Sequence, residues 1–486
     1  MKYLFPNTYN EEMENNDDTL FENENIEKTK KSVLIVSKET YFIDKMKKFL
    51  EDFNDFEYNI QNDISKFVEL SQDKIIPYLF LVDGNLGQPA VAEWAQTLKM
   101  SFPKIPLIVF HTNKVPLNFE ILKKNGTNHI IHINYDKEFV IDLLLEVIPY
   151  DFQGNNIPIV ALNVISYKDI SPELDLNFDV FFHLPNNHKT ILYRKKGTRL
   201  DEAKIKKLEE THQKIYFKKT EKKDFFEYAR TAQTFSNIER PVALTEKSLK
   251  TKKLIFLIMG EFFNQEVNDF KAGRNIFDRC KEILQEYRLL DDYSPRESYL
   301  EMVKFTGEVR TFYSDAINLC IYSAHIGNIV GFNKEKIESL ALAGLLHNIG
   351  LSYIDNIDVN MSPSELSSSD ESIYYTYPDK SVLMIKGKKV PLPPDVSDTI
   401  LEHRVNLDGS GFPKKKIGEK VQSLSKIIRV AYEFQALTCY QQEQINKNPA
   451  LVVEEMKEKA MSNKLPIDLN TILALAKCAK GPSERS

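Results

Sequence analysis

Cysteine is scarce in this chain and never paired. Only Cys280, Cys320, Cys439 and Cys478 occur in 486 residues; they lie far apart and none forms a CxxC. That argues against a disulfide framework or a thiolate zinc site and leaves four small buried hydrophobes. Long apolar runs are missing too. The most apolar stretch, "LIFLIMG" at 254–260, falls far short of a bilayer span. Positive charge is not in excess, with a net charge of −6 and a pI of about 6.0. Nucleic-acid binding as the main task needs a concentrated basic face and is not expected. The opening "MKYLFPNTYNEE" holds no apolar core of signal-peptide length, so a cytoplasmic protein is expected. No repeat at solenoid period is visible.

What is present is a soluble globular composition, 42% hydrophobic and 28% charged, long enough for about three domains. Residues 1–30 are acidic and Asn-rich and read as a solvated tail. From Ser32 the pattern changes. "SVLIV" (32–36), "YLFLVD" (78–83), "IPLIVFH" (105–111) and "HIIHI" (129–133) are short β-rich apolar runs. Amphipathic stretches such as "YFIDKMKKFLED" and "AVAEWAQTLKMSF" lie between them, and "KEFVIDLLLEVI" follows the last. This alternation predicts a parallel sheet covered on both faces over residues 31–150.

With Asp83 closing the third strand, this segment resembles the receiver domain of response regulators. The resemblance implies a flavodoxin-like α/β fold with Asp83 at the phosphoacceptor position. The acid pair that holds Mg²⁺ in receivers is here Ser37 and Lys38, the switch hydroxyl is His111, and the lysine falls near His132 or Ile133. Lys38 would repel the cation, and too few hard oxygens remain to hold it. A pseudo-receiver serving as an interaction or dimerisation module is expected, with Asp83 unused.

Residues 157–230 contain four strand-like runs and one charged helix, "RLDEAKIKKLEETH". The string "ILYRKKGTRLDEAKIKKL" resembles the small α+β domain found upstream of HD-GYP domains, here assigned to residues 151–230. Its basic cluster, Arg194 to Lys196 with Lys204, Lys206 and Lys207, reads as a solvated face, with an anion site as the alternative. Residues 231–300 are helical by pattern, a linker with faces suited to a neighbouring helix or a second subunit. "SPSELSSSDES" at 362–372 reads as a Ser-rich loop.

Residues 301–480 are helical almost throughout. "YSDAINL" (313–319), "LLHNIG" (345–350), "EHRVNLDGSGFP" (402–413) and "IIRVAYEFQALT" (427–438) follow one another in order. Together they resemble the HD-GYP branch of the HD phosphohydrolases, whose active members cleave cyclic di-GMP at a cluster of two or three metal ions. "DGSGFP" is the most specific string. Transferred position by position, the resemblance puts Asp315 where the family has its first helical histidine. The His-Asp pair becomes His347 and Asn348, and the following lysine becomes Leu351. The His-Pro becomes Tyr377 and Pro378, the double histidine becomes His403 and Arg404, and the next Glu becomes Val405. The last metal aspartate becomes Tyr432, and the phosphate-binding arginine beyond it becomes Gln441.

Paired metals need several imidazoles and carboxylates. Nine histidines occur in the chain, and only His325, His347 and His403 lie beyond residue 300. Arg404 stays charged and cannot ligate; neutralising Asp315 or Glu402 is its expected role. His347 and His403 read as buried histidines satisfied by hydrogen bonds, and His325 as a surface or capping residue. The loop Asp408, Gly409, Ser410, Gly411, Phe412 and Pro413 keeps the family pattern with Phe for Tyr; as a plain turn, Asp408 caps it, the glycines take positive φ and Phe412 plugs the core.

The expectation is a catalytically inactive HD-GYP-like scaffold without cofactor, working through signalling proteins, with homodimerisation open. Two alternatives stand beside it. One is an unconventional phosphodiesterase with metal on Asp315, His347 and His403, in the manner of a di-iron or di-manganese centre. The other is a cyclic di-GMP receptor that does not cut its ligand, motivated by Arg404.

Overall fold

The computed structural model describes residues 31–480 apart from 54–55, 71–76, 113, 149–156, 166, 185–188, 212, 236–243, 264–268, 307–310, 355–362, 413–417 and 440–447. The acidic segment 1–30, Pro413 and Gln441 therefore lie outside the described residues.

The four apolar runs, with one half-exposed strand that the pattern did not mark, form a five-stranded parallel sheet. Its strands are β1 (Lys31–Val36), β2 (Phe56–Gln61), β3 (Leu79–Asp83), β4 (Leu107–His111) and β5 (His129–His132). They lie in the order β2-β1-β3-β4-β5, the doubly wound arrangement of flavodoxin-like sheets. Strands β3 and β4 are buried at every residue, because helices cover both faces. These helices are α1 (Thr40–Leu50), α2 (Ile64–Leu70), α3 (Gln88–Ser101), α4 (Phe119–Lys124) and α5 (Lys137–Val147).

The second unit is antiparallel. Strands β6 (Leu162–Ile165), β7 (Val180–Leu184), β8 (Lys189–Arg194) and β9 (Ile215–Lys218) pair in the order β6-β9-β7-β8. Helices α6 (Glu202–Glu210) and α7 (Lys222–Phe235) accompany them. Its core is its own, built on Phe178, Phe217, Phe225 and Tyr228. In the basic cluster, Lys196, Lys204 and Lys206 are exposed and lie beside Asp224, Asp201 and Glu210, as a solvated face would.

The rest is helical: α8 (Leu244–Phe263), α9 (Phe270–Glu286), α10 (Pro295–Val303), α11 (Phe312–Ile329), α12 (Lys334–Leu346), α13 (Ser368–Gly387), α14 (Pro394–Glu402), α15 (Ser423–Thr438), α16 (Pro449–Met461) and α17 (Leu469–Ala479). Local chemistry sets several starts. Ser294 and Glu297 form a capping box on α10, and Asp269 and Asp468 cap α9 and α17. The Ser-rich stretch 362–372 is not simply a loop. A 3₁₀ turn spans Pro363–Glu365, and Ser367 accepts from Asp370 N to start α13. Serine-rich composition marked a helix cap there, because a hydroxyl oxygen can take an orphan N–H.

The helical region and the parallel sheet share one apolar core. It runs from Val33 and Ile35 on β1 through Phe139 on α5 and Phe263 on α8 to Leu319 on α11 and Phe434 on α15. Helix α8 is the go-between: Phe263 stacks on His132 at 4.1 Å and Phe256 on Tyr135 at 4.9 Å.

Candidate functional site

Helix α11 begins with a capping box between Thr311 and Ser314, which brings Asp315 into the first turn, fully buried. Helix α12 ends at His347, and Asn348 opens a 3₁₀ turn, Ile349–Tyr353. The glycine of "LLHNIG" is required by backbone approach. A Cβ on Gly350 would lie 2.2 Å from Tyr377 O and 2.6 Å from Ser381 N on α13. Ser381 ties the turn, accepting from Gly350 N at 2.8 Å while donating to His347 O at 2.8 Å.

Around Asp315 the donors are amides. Asn348 Nδ2 donates to Asp315 Oδ2 at 3.1 Å and to Phe312 O at 3.0 Å. Gln435 Nε2, from α15, donates to Asp315 Oδ1 at 2.9 Å and to its carbonyl at 3.0 Å. His347 Nδ1 donates to Gly344 O at 2.8 Å. Its Nε2 lies 3.1 Å from Asp315 Oδ2 but has no aligned hydrogen bond.

The second histidine is closed off. His403 Nδ1 donates to Ile400 O at 2.6 Å, so in the neutral ring Nε2 accepts from Tyr377 OH, also at 2.6 Å. Burial, then the neighbouring His347, holds the His403 ring well below the usual imidazole range. Burial likewise drives the Tyr377 phenol well above its ordinary value. The His347 and His403 rings sit 5.0 Å apart, edge to face, with Tyr432 5.9 Å from His403. The sequence-predicted residues thus converge: Asp315, His347, Asn348, Tyr377 and His403 form one buried cluster, with Tyr432 half-buried at its edge.

Arg404 adjoins it. Its guanidinium lies 4.3 Å from the Tyr432 ring centroid and 4.9 Å from that of Phe412, and Nη2 donates to Tyr374 OH at 3.5 Å. Aromatic faces hold this cation, which is less strongly hydrated than an ammonium. In the following loop Asp408 Oδ1 accepts from Ser410 N at 2.8 Å and Ser410 Oγ at 2.6 Å. Gly409 and Gly411 take φ of 84° and 85°. A Cβ on Gly411 would meet Arg404 O at 2.1 Å. Phe412 is buried among Tyr374, Tyr375 and Tyr377.

A pair of metal ions does not fit this donor set. Both Asp315 oxygens take amide hydrogens, His403 Nε2 takes a phenol, and the next side chain is a permanent cation. Among the described residues, no three His, Cys, Asp or Glu side chains form a group able to hold a metal ion. Gln435 escaped the sequence reading, although it lies three residues after Tyr432 and so on the same helix face. His325 is buried, edge-on to Tyr293 at 5.5 Å, and not at the surface as expected. Helix α11 is enclosed on nearly all sides, so its apolar pattern could not mark an outward face.

At the other sequence-predicted site, Asp83 is buried at the end of β3. Ser37 Oγ donates to its Oδ2 at 2.7 Å and Asn85 N to its Oδ1 at 2.9 Å. The His111 and His132 rings lie edge to face 5.1 Å apart, and burial lowers both, His111 to about 4.

Comparison with known proteins bears on the helical region. Residues 287–464 match the family model described as HD domain. Over 139 residues the chain is 28% identical to the cyclic di-GMP phosphodiesterase PdeB of Borreliella burgdorferi, covering 29% of this chain and 35% of that protein. It is 31% identical over 117 residues to the 3'3'-cGAMP-specific phosphodiesterase 1 of Vibrio cholerae, covering 24% and 26%. It is 25% identical over 118 residues to the cyclic di-GMP phosphodiesterase response regulator RpfG of Xanthomonas campestris pv. campestris, covering 24% and 31%. The matched segments thus span about a third or less of these relatives. Among solved structures, a HDG"Y"P protein from Bdellovibrio bacteriovorus aligns at 16% identity with a TM-score of 0.41, over 66% of this chain and 100% of that one. The HD domain match and the named relatives support the HD-GYP resemblance of the C-terminal region.

Proposed function

We propose that this chain is a catalytically inactive HD-GYP-type signalling protein that works by protein–protein contact in the cyclic di-GMP network. One observation carries the reading: the Asp315 carboxylate is held on both oxygens by the amides of Asn348 and Gln435. An amide cannot bridge two cations, and its N–H groups point where they would sit. The Tyr377–His403 bond and the caged Arg404 add to it. In this reading the N-terminal domain is a pseudo-receiver. Ser37 is bonded to Asp83 where an active receiver has an acid for Mg²⁺. Signalling proteins, a second copy of this chain among them, are the partners.

The test is elemental analysis of the purified protein alongside cyclic di-GMP binding and cleavage assays. Substoichiometric transition metal and no turnover are expected. Stoichiometric iron or manganese with turnover overturns the reading.

A second reading has one observation in its favour. His347 Nε2 is buried, lacks a hydrogen bond and lies beside Asp315, as two ligands of a single ion would. A one-metal phosphodiesterase built there would lose its activity in His347→Ala.

A further inference from the structure

The turn joining β5 to α5 grips the candidate site at two points. Asp136 stands at the N-cap position of α5, yet its side chain makes no capping bond to its own helix. Its Oδ2 accepts from Tyr313 N at 2.8 Å, in the first turn of α11. Thr311, the cap of α11, takes only the third amide, that of Ser314. The two caps share the work: Thr311 satisfies one orphan N–H, and a residue 175 positions earlier takes the one before it. Two residues before Asp136, Asn134 Nδ2 donates to Ser352 O at 3.1 Å and to Ile354 O. Those carbonyls lie at the exit of the turn that His347 and Asn348 open.

Asp315 follows the first grip and His347 precedes the second. We infer that residues 134–136 form a clamp across the domain interface that sets the position of Asp315 against His347, making Asn134 and Asp136 positioning residues of a site in another domain. Ring contacts reinforce it: Phe139 lies 5.5 Å from Tyr313, and Tyr135 stacks on Phe256. The clamp also starts at β5. Asn134 N donates to His132 Nδ1 at 3.2 Å, and His132 sits against His111 at the end of β4. A displacement of the sheet's C-terminal edge would therefore reach Asp315 and His347 together.

The test uses the full chain, labelled with ¹⁵N. Asp136→Ala should speed amide hydrogen exchange at residues 312–315 about fivefold to tenfold beyond any uniform change, the size of a lost cap, and should move the His347 imidazole ¹⁵N signals. Asp136→Asn keeps an acceptor and should stay near the parent in both. Asn134→Ala should speed exchange at residues 349–354 and also move the His347 signals; it serves independently if Asp136→Ala fails to fold. A folded Asp136→Ala or Asn134→Ala with unmoved His347 signals, or with a uniform exchange increase only, overturns the clamp.

Discussion

At Asn348 a single atom changes the chemistry of the site. An amide nitrogen 3.1 Å from Asp315 Oδ2 donates a hydrogen bond where a carboxylate oxygen would repel it. Asn348→Asp would set two carboxylates together without water. One would hold a proton, its pKa raised above the unfolded value, so stability is kept in acid and lost as pH rises. We expect a loss of about 3–5 kcal/mol at pH 8 and much less at pH 5, read from chemical denaturation at both. At Tyr377 the prediction is simpler. Tyr377→Phe leaves His403 Nε2 buried without its donor and should cost about 1–3 kcal/mol. Equal denaturation midpoints for parent and variant would refute this. These residues were legible because motif order fixes their places. Gln435 was not, because an amide on an apolar helix face carries no signal until the acid it serves is known to face it.

Among the elements, β1, β3, β4 and β5 were legible because short continuous apolar runs alternating with amphipathic helices fit a covered sheet; β2, a half-exposed edge strand, carried no such run. Helices α11 and α12 were harder. Both are buried on nearly all sides, so no polar face orients them. The turn that follows α12 depends on close approach at glycine. Gly350→Ala places a methyl against the Tyr377 carbonyl and should push α13 away from the His347 turn, costing about 2 kcal/mol or more. Circular dichroism melting would measure it; a midpoint within a degree of the parent would count against the packing described. The start of α13 shows the reverse case, in which serines resembled a loop by composition and proved to be a cap.

In the whole molecule, one apolar core joins the parallel sheet to the helical region, while the antiparallel unit keeps its own. Calorimetry should therefore show the sheet and the helices melting in one transition. Separate transitions for residues 31–148 and 269–480, resolved by exchange mass spectrometry, would contradict a shared core. The same interface predicts a pH dependence. Burial lifts the Asp136 carboxyl to about 7, with Glu138 adding to the rise, while the Tyr313 and Phe312 amides and Lys252 oppose it. Folded, it keeps its proton beyond the unfolded value of about 4. Its contribution to stability is then present in acid and falls as pH rises through about 7. Asp136→Asn should flatten that slope; an unchanged slope would place the titration elsewhere.

The sequence by itself determined the order of units, four of the five strands of the parallel sheet, the order of the motif-like residues, and the scarcity of histidine beyond residue 300. Those are matters of residue type and spacing along the chain. Only the tertiary structure decided which donors hold Asp315, what cages Arg404, and that Asp136 caps a helix in another domain. Such pairings join residues up to 220 positions apart, and a buried polar group takes whichever partner packing brings within reach.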